Sequence, residues 1–373
     1  MLTPKQRMLN AYRGVETDST PVAPEFWYYY PAKVLGMNMV EFEREVPHWL
    51  ALQATFRRYG TEGWGIIAPE VTGPDTTTES TLAKISEERY RETTVHHYRG
   101  HEFTSSRLYS VSDPSWPEKM VAGNELELAQ CLEVQLSGER EPEFTEANRA
   151  YTAVGEDYLL ELYLGEPFFD TVAGLMGFEQ AALYFQDEHE DSLQNYLDRF
   201  VQSQRELLRR AVGATPFESY FIGCSYSCNS LLGARLWQKW DKPYIQAMAT
   251  ELHACGRLLH IHFHGRSIRT AAEFADIGID CVCPFERPPG GDVAGLEGLQ
   301  KLRALLDEKV TMNGNVHTVE TLIRGGPADV RREVQQIKEA FQGSRRLIIG
   351  TGDQVGRETP EANIWAMVDE ARR

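Results

Sequence analysis

The sequence predicts an α/β protein built as a (β/α)8 barrel, the TIM-barrel arrangement, with an N-terminal extension and an inserted β-hairpin. Three observations predict it. Eight short runs of β character recur along the chain, long stretches of helical periodicity separate the later ones, and the runs are nearly continuously apolar. Strands apolar on both faces that alternate with helices describe a parallel sheet covered on the outside. Eight such units describe a barrel.

In order, the runs are TPVAPEFW (20–27), GWGIIA (63–68), YLLELY (158–163) and ESYFIG (218–223), then LLHIHFH (258–264), DCVCP (280–284), VTMNGN (310–315) and RLIIGT (346–351). Helical patterns cover 236–256, 267–276, 296–308 and 328–342. Pro327 begins the last of these and Gly343 follows its end, as helix punctuation prefers. The first half is less regular. Residues 69–157 read as an insertion, and RYRETTVHHYRGHEFTSSRLYSV (89–111) alternates around an Arg-Gly tip, which predicts an exposed hairpin. His96, His97 and His101 read as its solvated polar residues. The whole of 1–373 is expected to be one barrel domain.

Composition narrows the function. The chain has 373 residues, 42% of them hydrophobic, enough for a large core. Its net charge of −17 repels phosphate backbones and anionic headgroups, which argues against nucleic acid and membrane partners. No apolar run reaches the roughly 20 residues of a membrane span. The start lacks the apolar region of a secretory signal, and six cysteines are too sparse for a disulfide framework, so a cytoplasmic location is expected.

Chemistry concentrates at the predicted strand ends, where barrels of this kind place reacting groups. In RLLHIHFHGRS (257–267), alternation puts His260, His262 and His264 on one face, with His264 nearest the mouth. Imidazoles two apart on a strand can share one ion. Strand six ends at Glu286 and strand eight at Asp353, both aimed at the same mouth. His262, His264, Glu286 and Asp353 are therefore the candidate metal ligands, for Zn2+ most simply, with Fe2+ or Mn2+ as alternatives. Asn315 and His260 are the candidate catalytic residues. Asn313, Trp27, Tyr29, Trp64, Phe169 and Tyr226 are candidates for substrate binding. Aromatic walls suit a methoxylated ring, a quaternary methylammonium or the face of a corrin. Cys281 and Cys283 differ in parity from Glu286 and are expected to pack outward against helices. Cys224 and Cys228 stay open between metal ligands and packed thiols.

Several segments resemble the uroporphyrinogen decarboxylase superfamily, and within it the cobalamin- and thiol-linked methyltransferases. They are RMLNAYRGVETDSTPVAPEF (7–26), PFFDTVAGLMGFEQAALYFQDEHE (167–190), LLHIHFHGRSI (258–268), CPFERPPGGDV (283–293), MNGNVHTVETLIRGGPADVRREV (312–334) and GTGDQVGRETPEANIWAMVDEA (350–371). The resemblance implies the barrel fold and a zinc site. Its His-x-Cys falls on His262 and His264, and its late Cys falls on Asp353. Related cobalamin-independent methionine synthases add a Glu about 22 residues on, which lands on Glu286. Both thiolates are thus replaced by harder N and O donors, and such an ion is a stronger Lewis acid. The resemblance also implies a corrinoid carried by a partner protein, and a homodimer. The decarboxylase branch binds its octa-acidic tetrapyrrole through arginines in a segment that here reads PEFWYYYPAKV (24–34), so porphyrinogen decarboxylation is not expected.

The expected function is a metal-dependent methyltransferase that moves a methyl group between a small substrate and a thiol or corrinoid carrier. A metal-dependent lyase or hydrolase, decarboxylase included, is the alternative, and a non-catalytic binding protein is the third reading.

Overall fold

A computed structural model describes residues 1–73, 76–137, 141–186, 189–228 and 230–373. Each of the eight predicted runs contains a strand of one parallel sheet. They are β1 (Val22–Ala23), β2 (Trp64–Ile67), β3 (Leu159–Tyr163), β4 (Ser219–Cys224), β5 (Leu258–Phe263), β6 (Cys281–Pro284), β7 (Thr311–Val316) and β8 (Leu347–Thr351). Each strand from β3 to β8 pairs beside its predecessor, and β8 returns to pair with β1.

The sheet curls, but among the described residues no ladder joins β1 to β2, which corrects the expectation of a closed barrel. Prolines explain the short first strand: Pro21 and Pro24 flank it and have no N–H to donate. The buried Glu62 stands at the seam. Its Oε2 accepts from Val22 N at 2.9 Å, and its Oε1 meets Arg7 Nη1 at 2.7 Å.

The N-terminal extension is the helix Pro4–Arg13, opened by a Thr3/Gln6 capping box. It underlies the N-terminal end of the sheet. Thr311 Oγ1 donates to Ala11 O, and Arg346 Nη1 donates to Tyr12 O. Met8, Leu9, Ala11 and Tyr12 pack in one cluster with Ala23, Trp64, Phe221 and Ile348, from four strands. Burial of such apolar side chains stabilises by roughly 1.5–3 kcal/mol each, which fixes the floor.

Outside the sheet, the predicted helix 236–256 is broken into Ala234–Leu236, a π-helical turn Trp237–Asp241 and Lys242–Ala254. Pro243 cannot supply the N–H that would continue a regular α-helix across this point. The other three patterns appear as Ala271–Ile277, Gly295–Leu306 and Pro327–Ala340.

In the insertion, Arg89–Tyr98 and His101–Ser110 form an antiparallel hairpin, and its tip, Arg99–Gly100, has positive φ at both residues. Thr76–Lys84 and Trp116–Lys119 extend it to four strands. The sheet docks on the helix Met39–Glu45: Met39 N donates to Val111 O, and Arg44 pairs with Glu92 at 2.8 Å. His96 Nε2 bonds Ser105 Oγ, and the three hairpin histidines join no metal-ligating group among the described residues. No helix of the described residues is long and apolar enough to cross a membrane.

Candidate metal centre and substrate cavity

Alternation along β5 grades the histidines from floor to mouth. His260 is 0% exposed and His262 9%, and the His264 side chain is 29% exposed. Contacts run the length of this face. Glu161 Oε2 lies 2.8 Å from His260 Nδ1, and His260 Nε2 lies 3.1 Å from Cys283 Sγ. Cys283 Sγ lies 3.0 Å from His262 Nδ1, and His262 Nε2 lies 2.8 Å from His264 Nε2. His264 Nδ1 ends the chain, 3.0 Å from Glu286 Oε1.

Two sequence expectations are corrected here. His260, proposed as catalytic, lies below the cavity, enclosed by Tyr12, Glu161, Trp64 and Phe221. Cys281 and Cys283 do not pack outward. The register pairs them with His260 and His262, and paired residues of neighbouring strands share a face. Counting parity to Glu286 failed at Phe285, where φ is 54° and the extended alternation breaks.

Glu286 is held by its loop. Its Oε2 accepts from Gly265 N, and its backbone carbonyl accepts from Val293 N. A Cβ at Gly291 would lie 2.0 Å from that carbonyl, so only glycine fits there. Asn315, proposed as catalytic, is fully buried. Its Nδ2 donates to Phe285 O and Val293 O, and Arg287 Nε donates to its carbonyl. It braces the Glu286 loop and does not face the cavity. Asn313 is buried beside Gly350 and also does not line it.

Glu286, Asp353 and His264 come together, each offering a donor atom within 4.8 Å of the others. Donors around a single ion at about 2.0–2.2 Å stand roughly 3–4.5 Å apart, so small rotations let this N/O set hold one divalent cation. His262 stands outside the triple, with its Nε2 turned to His264. The electrostatics also suit a cation. Burial disfavours a charged His264, but the Glu286 hydrogen bond and the Asp353 and Glu25 carboxyls outweigh it and carry the imidazole up to about 9. Burial, with His264 and His260 nearby, holds His262 well below the usual imidazole range. Burial and the neighbouring Asp353 push Glu25 up to about 8, and burial also raises Asp353.

Above the cluster lies a cavity of about 420 Å³. Trp27, Tyr28, Trp64, Tyr163 and Phe221 form its aromatic wall, with Trp27–Trp64 and Trp64–Phe221 ring centroids each 5.2 Å apart. Trp27 and Trp64 thus stand where substrate-binding residues were expected. The other aromatic candidates do not. The chain turns into the helix Tyr29–Leu35, which places Tyr29 under the Arg357 guanidinium and leaves Tyr28 at the cavity. Phe169 is fully buried against Phe178 and Phe185. Tyr226 packs on Phe178. Three acids went unselected in the sequence: Glu25 after β1, Glu166 after β3 and Glu161 within β3. Glu25 and Glu166 satisfy the same strand-end rule that found Asp353.

Cys224 and Cys228 are free, buried thiols that join no metal-ligating group among the described residues, and burial holds the Cys224 thiol well above its ordinary range. Beside them, the Ser227 hydroxyl contacts both Asp170 Oδ2 and Asp241 Oδ2, while Tyr226 N and Phe169 N donate to the other two oxygens. One hydroxyl has one proton, so the second contact needs a protonated carboxyl. Burial raises both, Asp170 to about 6. A carboxyl raised in the fold binds extra protons there, so its stabilisation is complete below about pH 4 and is lost as pH rises through about 6. Asp241→Asn mimics the protonated acid. Its stability relative to the parent, from urea unfolding, should therefore rise between pH 4 and 7; a difference that does not change with pH would refute the shared proton.

A uroporphyrinogen decarboxylase (URO-D) family profile matches residues 169–373. Among solved structures, a methyltransferase from Methanosarcina mazei aligns with a TM-score of 0.65 at 15% identity, over 100% of this chain and 98% of that one. At that identity the likeness shows the fold. An intracellular xylanase from Thermoanaerobacterium saccharolyticum aligns at a TM-score of only 0.36, with 11% identity, over 61% of this chain and 81% of its own. No curated protein matches the sequence. The profile match takes in β4 to β8, the histidine strand and the loops bearing Glu286 and Asp353, more than half of the chain. The chain belongs to the uroporphyrinogen decarboxylase family.

Proposed function

We propose that the chain is a metal-dependent methyltransferase that moves a methyl group between a small substrate and a thiol or corrinoid carrier, the corrinoid being held by a partner protein. The observation that carries this reading is the convergence of His264, Glu286 and Asp353 beneath an aromatic-walled cavity. The full-length likeness to a methyltransferase fold accords with it. We also read the curled sheet as a (β/α)8 barrel whose seam Glu62 bridges, which makes this cavity its C-terminal mouth.

A bound divalent ion, zinc most simply, would supply Lewis acidity to an oxygen, sulfur or amine atom of the substrate. Glu286, fixed by Gly265 N–H and His264, presents its carboxylate in one orientation. His264 Nδ1 faces Glu286 Oε1, which orients the imidazole so that Nε2 is the nitrogen left to meet an ion. Trp27 and Trp64 exclude water and fix the approach of the methyl group.

The all-N/O donor set favours one second reading, a metal-dependent lyase or hydrolase. Porphyrinogen decarboxylation fits poorly, because the cavity lining offers no Lys or Arg to a polycarboxylate. The deciding experiment follows a labelled methyl group into a thiol or cob(I)alamin, before and after chelation and with metal restored. Transfer that falls on chelation and returns with metal supports the proposal. Substrate turnover without any methyl transfer supports the lyase or hydrolase.

A further inference from the structure

We propose that the cavity takes an organic cation, a methylated ammonium head seated inside the aromatic wall with Glu166 as its counter-ion. This rests on the reading of the cavity as the substrate chamber. The lining carries three carboxyls, Glu25, Glu166 and Asp353, and no Lys or Arg. Asp353 belongs to the ion-holding cluster and Glu25 adjoins it. Glu166 follows β3, whereas Glu286 and Asp353 follow β6 and β8, so it forms a separate acidic pole.

Glu166 has no salt bridge among the described residues. Its charged neighbour is another acid, Asp170, and burial lifts its carboxyl to about 7. The wall beside it is aromatic: Tyr163, Trp64 and Phe221 from β3, β2 and β4, with Trp27 packed against Trp64. Every lysine or arginine found over an aromatic ring sits elsewhere, on Tyr30, Tyr29 or the outer helices for example, so these rings have no cation of their own among the described residues. A desolvated carboxyl beside aromatic rings that carry no Lys or Arg is the recognition chemistry of a methylated ammonium. A neutral methoxylated ring would fill the wall and leave Glu166 with the Tyr163 hydroxyl but no counter-charge. An anion would find no Lys or Arg there, and at this pole it would face the Glu166 carboxyl.

The test uses choline as the probe and 3,3-dimethylbutan-1-ol as its neutral isostere, with the intact chain at matched ionic strength. Calorimetry and the emission of Trp27 and Trp64 report binding. Choline should bind about tenfold or more tightly than the isostere, as expected for a desolvated cation–π site. Glu166→Gln should weaken choline about tenfold and leave the isostere unchanged. Should that variant not fold, Trp27→Leu at the partly exposed end of the wall carries the same comparison. Equal binding of the two probes, no binding of choline, or equal weakening of both overturns the proposal. The two readings fail separately. Methyl transfer from a neutral donor without choline binding removes the cation proposal alone, and choline binding without metal or transfer removes the methyltransferase alone.

Discussion

Glu286→Ala should release the ion and abolish turnover while leaving the chain folded. The carboxylate bonds His264 Nδ1 through one oxygen and Gly265 N through the other, so its loss removes a donor and frees the imidazole that a second donor depends on. Losing even an outer partner of a metal site typically costs about 10–100-fold in affinity, and losing a ligand should cost at least that. Metal analysis of the purified protein should find near one equivalent in the parent. Glu286→Ala, Asp353→Ala and His264→Ala should each lose most of it. His262→Ala should lose less, because His262 stands beside the triple. The fold should survive, since losing the His264 and Gly265 hydrogen bonds is offset by relief of the repulsion that Glu286 exerts on Asp353 and Glu25. After chelation, the variant should unfold at a temperature no lower than that of the chelated parent. Full metal content in Glu286→Ala would end the three-ligand assignment.

What the sequence showed of this site, and what it hid, has a geometric cause. Within a strand, alternation is rigid, so the His260, His262 and His264 series and its order of depth could be read directly. Beyond a strand end, the loop sets the direction. Glu286 reaches the mouth only because Phe285 takes a positive φ, and Tyr28 replaces Tyr29 because a helix starts there. Residues such as Phe169 and Tyr226, just past their strands, were turned into the helical layer for the same reason. The fold was more legible than the site. Apolar runs mark β1 to β8, although Pro21 and Pro24 cut the first to two residues. Thr76–Lys84 escaped because TTTESTLAK is polar on both faces and almost wholly exposed, so only pairing with Arg89–Tyr98 makes it a strand.

Glu161→Ala should cause a large loss of stability, about 3–5 kcal/mol in urea unfolding, the range for removing one member of a buried ion-paired or hydrogen-bonded set. Glu161 is fully buried at the bottom of the histidine face. Its Oε1 accepts from Ser219 Oγ at 2.5 Å and its Oε2 faces His260 Nδ1. That acceptor sets the direction of every proton above it. His260 Nδ1–H points down to Glu161, so His260 Nε2 accepts from the Cys283 thiol. The sulfur then accepts from His262 Nδ1–H, which leaves His262 Nε2 as an acceptor, taken up in the metal-free protein by His264 Nε2–H. Alanine strands the Ser219 hydroxyl and leaves the Tyr12 hydroxyl, 3.0 Å away, as the remaining partner of His260 Nδ1; it can donate there as well as accept, so the reason for that order is gone. Glu161→Gln keeps the volume but can accept through only one atom, so it should lose less than alanine. Nitrogen-15 spectra of the imidazoles should show the His262 tautomer in the parent as Nδ1–H, and a mixture in the alanine variant. A loss under about 1 kcal/mol with the His262 tautomer unchanged would mean that the five contacts are only close packing. A large loss with a mixed tautomer would mean that a carboxylate at the floor of the sheet orients the imidazole beside the metal centre.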